Sequence, residues 1–248
     1  MEVKKRLKLI ACEIMFREIC YCAARCRNIV DITFMPKGLH DIGETKMNAK
    51  LQAEIDQTDP ERYEAILLGY GLCNNGVRGL HAPLPLVITR AHDCITLLLG
   101  SREKYREYFD HNPGTFFQST GWVERNTDPN DQAESVTSQL GMSRTYQEYL
   151  EKYGEENARF LFETLGDWLK NYQKVAYIDT GIGAFPACRE AARQQAAENG
   201  WAYEELAGDT RLICKLLNGD WDPEEFLVVP PQQKILPVYG DETIIKSE

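Results

Sequence analysis

The chain has no apolar run near the roughly 20 residues that span a bilayer. Its opening stretch, MEVKKRLKLIACEIM, holds too short an apolar segment and no small-residue cleavage site for a signal peptide. A membrane span and secretion are therefore excluded as expectations, and the protein reads as cytoplasmic. Positive charge is also scarce: 28 Lys and Arg face 38 Asp and Glu, a formal charge of −10. Such a field repels a polyanion, so nucleic acid is not an expected partner. Nucleotide-binding motifs are missing as well. Gly69, Gly71 and Gly76 do not make G-x-G-x-x-G, and no Lys-Ser or Lys-Thr follows to make a phosphate loop. No C-x2-C pair marks an ordinary zinc or iron–sulfur site.

What is present is alternation. Short apolar runs bounded by Gly and Pro recur between helical patterns, which is how parallel strands of an α/β sheet read. Strands are expected at Leu7–Ala11, Val30–Met35, Ala65–Leu68, Leu84–Thr89, Thr115–Ser119, around VAYID, at Trp201–Leu206 and at FLVVPP. Helices are expected between them, including Glu44–Asp56, Ser143–Tyr153, Glu155–Asn171, Pro186–Glu198 and Arg211–Leu217. A polar stretch, ERNTDPNDQAES, reads as a long loop. The 43% hydrophobic content is ample for a packed core in 248 residues. The expected architecture is two Rossmann-like units of about four parallel strands each, residues 1–110 and 111–248, facing across a cleft. A single doubly wound sheet is the second choice.

Eight cysteines in a cytoplasmic chain are expected to be reduced thiols. Met15, Ile19, Cys22, Ala23 and Cys26 fall at spacings of three and four, one helix face, so Cys22 and Cys26 read as core. Cys20 lies off that stripe. The others mark strand ends, where α/β sheets gather ligands: Cys12 with Glu13 after the first strand, His40 with Asp41 after the second, Cys73 in a turn with Gly69, Gly71 and Asn74 after the third, and Arg90, His92, Asp93 and Cys94 after the fourth. His81 and His111 read as exposed loop residues. Cys12, Cys73, His92 and Cys94 form a set of soft ligands suited to zinc with an open position, or to an iron–sulfur cluster with one non-cysteine ligand. Glu13, His40, Asp41, Arg90 and Asp93 would then support the ligands or meet the substrate. The bland alternative is that Asp93 caps a buried helix beginning at Cys94. At DTGIG, Gly181 could admit a phosphate or carboxylate to backbone N–H groups, and a structural turn explains it equally well.

The segments GLHD, ILLGYGLCNNG, PLVITRAHDCITLLLGSREKY, GTFFQSTGW, YIDTG and GDWDPEEFLVVPP resemble a domain-of-unknown-function family of anaerobic bacteria and methanogenic archaea. The resemblance covers nearly the whole chain. It implies a setting beside corrinoid-dependent methyltransferases, with a corrinoid protein or methyltransferase as partner. His92-x-Cys94 is also similar to the His-x-Cys ligand pair of zinc-dependent thiol methyltransferases, though the third cysteine lies upstream here. Three functions follow as expectations. The first is a zinc or iron–sulfur enzyme of one-carbon, methyl-transfer metabolism acting on a thiol or methylated small molecule. The second is a metal-free racemase or isomerase, since Cys73-Asn74 resembles the Cys-Asn pair of Asp/Glu racemases and Cys188 could be the partner thiol. The third is a non-catalytic accessory protein that binds a corrinoid, through a base such as His40, or a cluster; the D-x-H-x-x-G corrinoid motif is absent.

Overall fold

The computed structural model describes residues 4–125, 155, 171–239 and 243–248. It is a mixed α/β structure with two parallel-stranded sheets. Strands β1 (Arg6–Cys12), β2 (Ile29–Met35), β3 (Ala65–Gly69) and β4 (Leu86–Thr89) lie parallel in the order β2-β1-β3-β4. Every residue of β3 and β4 is buried, as continuous apolar runs in a sheet covered on both faces require. Between them run helices α1 (Phe16–Arg25), after a 3-10 turn at Glu13–Met15, and α2 (Glu44–Asp56), after a second such turn at Lys37–Ile42. On α2, Met47, Leu51 and Ile55 recur every four residues and are the buried ones.

The strand order reverses beside β1. From β1 the chain steps outward to β2, then returns past β1 to β3. The carboxyl ends of β1 and β3, which carry Cys12 and lead to Cys73, flank this switch point, where open α/β sheets bind ligands.

Helix α3 (Cys94–Leu99) is wholly buried. Helix α4 (Arg102–His111) is capped by Ser101 and has no fully buried residue. Then β5 (Thr115–Ser119), β6 (Lys174–Asp179) and β7 (Ala202–Ala207) form a second, parallel sheet. Helix α5 (Thr120–Glu124) follows β5 directly, and α6 (Pro186–Asn199) packs Cys188, Ala192 and Ala196 against Val175 and Tyr177. The helices expected over 143–153 and 155–171 lie outside the described residues apart from Glu155 and Asn171, as does the polar loop beyond Arg125.

Two expectations need correction. Strand β8 (Phe226–Val229), reached through α7 (Arg211–Asn218), does not complete the second sheet. It returns to the first and pairs antiparallel with β4, Thr89 opposite Phe226. Its four residues fit an antiparallel edge as well as a parallel interior, so composition alone could not place it. A short hairpin of β9 (Ile235–Pro237) and β10 (Ile245–Ser247) follows. The cysteines are also not all free: Cys22 of α1 is bonded to Cys214 of α7. Cys22 is buried as its helical stripe requires, and the partner face of α7 brings a second sulfur to it, whereas Cys26 is only half-buried.

Candidate functional site

The loops after β3 and β4 are joined by their backbones. The amide of Leu72 donates to the carbonyl of Ala91 and that of Cys73 to the carbonyl of His92, both across 2.8 Å. Gly71 permits this approach, because a Cβ there would lie 2.7 Å from the nitrogen of Asp93 and 2.8 Å from the oxygen of Ala91. Beyond Gly71 the chain makes an unusual turn. Cys73, Asn74 and Asn75 have φ of 44°, 53° and 66°, three successive non-glycine residues in the left-handed region. Asparagine tolerates that region, and the amide of Gly76 closes the turn on the carbonyl of Cys73 at 3.0 Å. Cysteine tolerates it less well, so the turn holds Cys73 in a strained conformation of the kind found at functional sites.

Three thiols and a phenol are buried together here. Cys12 is 1% exposed, Cys73 5%, Cys94 4% and Tyr70 1%. Burial pushes the Cys73 thiol far up, with the charges of Asp93 and Cys12 adding to it, while the amides of Gly71 and Cys94 pull back. Burial likewise raises Cys94, followed by the charges of Cys73, Asp93 and Cys12. Tyr70 is raised first by burial and then by Cys12, Cys73, Cys94 and Glu13. The Cys73 and Cys94 thiols are thus neutral near pH 7, and the leading charges that act on them are negative. The Tyr70 hydroxyl has no hydrogen-bond partner among the described residues. Nothing in the sequence stood out at Tyr70, since a tyrosine after a strand is ordinary core.

A cavity of about 520 Å³ opens beside this cluster, lined by Cys73, Cys94, His92, Trp122 and Tyr239 among others. Trp122 comes from α5. That helix approaches closely because Gly121 lies against the backbone of Ile14, where a Cβ would stand 1.6 Å from the carbonyl oxygen. His92 is exposed at the cavity rim, apart from the buried sulfurs. Among the described residues no group of three or more His, Cys, Asp or Glu side chains is arranged to hold a metal ion.

Asp93 does cap α3, its Oδ1 accepting from the amide of Ile95 at 3.0 Å, and its Oδ2 accepts from the hydroxyl of Tyr105 at 2.9 Å. Burial raises the Asp93 carboxyl, and these bonds pull it partly back. Most of the other expected site residues separate. Glu13 accepts from the amide of Lys37 at 3.0 Å and pairs with Arg125 at 3.2 Å, a joint between elements. Arg90 turns away from the cavity and donates to the carbonyls of Pro223, Thr243 and Ile245. Asn74 stays at the site, exposed on its turn and lining the cavity beside Cys73, whereas Gly69 ends β3 against Ala11. Gly181 lies after β6 in the second sheet, where its amide donates to Asp179 at 3.0 Å, and Asp179 pairs with Arg189. That turn is accounted for without a ligand. The side chains of His40 and Asp41 lie outside the described residues.

Fold and site together define an α/β protein with a cavity lined by two thiols, Cys73 and Cys94, at the carboxyl ends of β3 and β4 in its larger sheet. The chain belongs to the DUF1638 family, described as a protein of unknown function, whose model matches residues 34–217. Cys73, His92 and Cys94 fall within that match and Cys12 precedes it. No curated protein and no solved structure matches the chain. Among the described residues no helix is long and apolar enough to cross a membrane.

Proposed function

We propose that the chain is a soft-metal protein, holding zinc or an iron–sulfur cluster on Cys12, Cys73 and Cys94, and an enzyme of one-carbon chemistry acting on a thiol or a methylated small molecule. The observation that carries this reading is the burial of three thiols around a phenol whose hydroxyl has no hydrogen-bond partner among the described residues. A thiol without a nearby cation stays protonated and is a poor nucleophile or base. A bound metal supplies that charge, converts the thiols to thiolates and activates a substrate thiol at an open position. Thiolate sulfur would in turn give the Tyr70 hydroxyl an acceptor. Because no three donors among the described residues are aligned for an ion as they stand, loading requires the cysteine side chains to turn as they lose their protons.

The chain's own residues then divide the work. The left-handed turn at Cys73 and the cap at Asp93 fix two of the sulfurs, and Trp122 and Tyr239 enclose the apolar part of the substrate. His92, at the rim, serves as a further ligand or exchanges a proton with the bound molecule. We read the second sheet as the other Rossmann-like unit, with Trp122 its contribution to the cleft. The family resemblance supports methyl-transfer metabolism, with a corrinoid protein or methyltransferase as partner, in the cytoplasm.

The metal-free racemase reading is weaker. Cys188 packs in the core of the second sheet with Val175 and Tyr177, while Cys73 lines the cavity at the ends of β3 and β4, so that reading needs a second thiol drawn from another core. Elemental analysis of protein purified without oxygen tests the proposal. About one zinc per chain, or iron with acid-labile sulfide, is expected, and loss of it in Cys73→Ser. Metal-free protein that cannot be loaded would overturn the reading.

A further inference from the structure

His92 belongs to two cavities. On its other side lies a second one, about 370 Å³, lined by Arg102, Tyr105, Arg106, Phe109, Asp110 and Ile244. The four α4 residues Arg102, Tyr105, Arg106 and Phe109 fall at i, i+3, i+4 and i+7, one face of the helix. In a chain of formal charge −10, this lining carries two guanidinium groups against the single carboxylate of Asp110. Arg102 also pairs with Glu103 at 3.5 Å. Phe109 is exposed and Tyr105 is held in place by Asp93, so an apolar wall stands beside the cationic groups.

The opposite wall is built under strain. Ile244 is β-branched and buried, yet its φ is 60°. Its carbonyl accepts from the amide of Val238 at 2.8 Å, and Arg90 donates to the carbonyls of Thr243 and Ile245 on either side of it. One short segment therefore shapes both cavities: Arg90 clamps the far wall, His92 partitions, Asp93 fixes Tyr105, and Cys94 faces the thiol side.

We propose that the second cavity takes the carboxylate or phosphate of a small organic anion, gripped by Arg102 and Arg106 with its apolar stem against Tyr105 and Phe109, so that its other end passes His92 to Cys73 and Cys94. Guanidinium groups match both oxyanions in charge and in paired hydrogen bonding. The inference rests on the thiol cavity being the reacting site, and it narrows the substrate there to an anionic thiol or methyl compound.

The test uses the full chain, free of metal, titrated separately with inorganic phosphate and with benzoate while the His92 ring and arginine Nε–H resonances are followed. Saturable shifts are expected with at least one of the two, and which one separates phosphate from carboxylate. Arg106→Gln, at an exposed helix position, should weaken that binding about tenfold and Arg102→Gln/Arg106→Gln should abolish it. Cobalt binding at the thiols should be unchanged in both. Titration curves identical in Arg106→Gln and the unmodified chain, or no shift with either anion, would overturn the inference. Arginine-dependent anion binding in a chain that takes up no cobalt would keep the subsite and refute the metal reading instead.

Discussion

Tyr105 donates its hydroxyl to Asp93 across 2.9 Å, and that one bond ties the face of α4 to the cap of α3 and so the anion cavity to the thiol cavity. Asp93 has both jobs at once. Asparagine caps a helix nearly as well as aspartate, so Asp93→Asn should leave the fold intact, while Asp93→Ala should cost about 1–2 kcal/mol in denaturant unfolding. The pH dependence separates the two roles. Burial holds the folded carboxyl above the ordinary aspartate value, so the native state retains a proton that the unfolded state has lost. Stability from this group is therefore fully present below about pH 3.9 and declines as pH rises toward the raised value. Asp93→Asn should remove that decline. Parallel pH–stability curves for variant and unmodified chain would show that the buried carboxyl has no such shift.

Gly71→Ala places a methyl group 2.7 Å from the backbone nitrogen of Asp93 and 2.8 Å from the carbonyl oxygen of Ala91. Neither atom belongs to a flexible side chain, so the two strand-end loops must part. Destabilisation of about 1–3 kcal/mol is expected, together with loss of metal uptake. A variant with unchanged unfolding midpoint and unchanged uptake would mean that the loops are not held in this contact.

Removing the buried phenol hydroxyl has opposite effects in the two states of the site. In metal-free protein Tyr70→Phe deletes a polar group that has no partner among the described residues. Stability should hold or rise by about 1 kcal/mol. In loaded protein the same change deletes a donor to thiolate, and metal affinity should fall about tenfold. A loss of stability in metal-free Tyr70→Phe would show that the hydroxyl already has an acceptor.

Cys22–Cys214 ties helices 192 residues apart in sequence. Alkylation of unfolded, unreduced protein should modify six cysteines and spare these two, and reduction should cost about 2–4 kcal/mol of stability. Eight alkylated cysteines by mass spectrometry would contradict the bond.

Much of this was legible in the sequence where one element dictates its own form. The short apolar runs Ala65–Leu68 and Leu84–Thr89 read as parallel strands, which the structure places at Ala65–Gly69 and Leu86–Thr89, and the helix expected over Glu44–Asp56 is α2. For Asp93, expected to support the ligands, the bland alternative of a helix cap is the one the structure shows. What was not legible depended on partners distant in sequence. Phe226–Val229 carries no sign of pairing with Leu86–Thr89, and Cys22 explained itself as core without Cys214. Arg90 beside His92 looked like part of the site, but its partners lie more than 130 residues away in sequence. Tyr70 and the α4 face came to notice only when burial and cavities set them beside the thiols.

The central claim is that Cys12, Cys73 and Cys94 share one soft ion, and anaerobic titration with cobalt(II) tests it most directly, because thiolate ligands give an intense near-ultraviolet charge-transfer band. Saturation near one cobalt per chain is expected, with the band reduced or lost in Cys12→Ser, Cys73→Ser and Cys94→Ser and intact in Cys20→Ser and Cys26→Ser. No thiolate band in the unmodified chain, or a band that survives Cys73→Ser and Cys94→Ser together, would contradict the account.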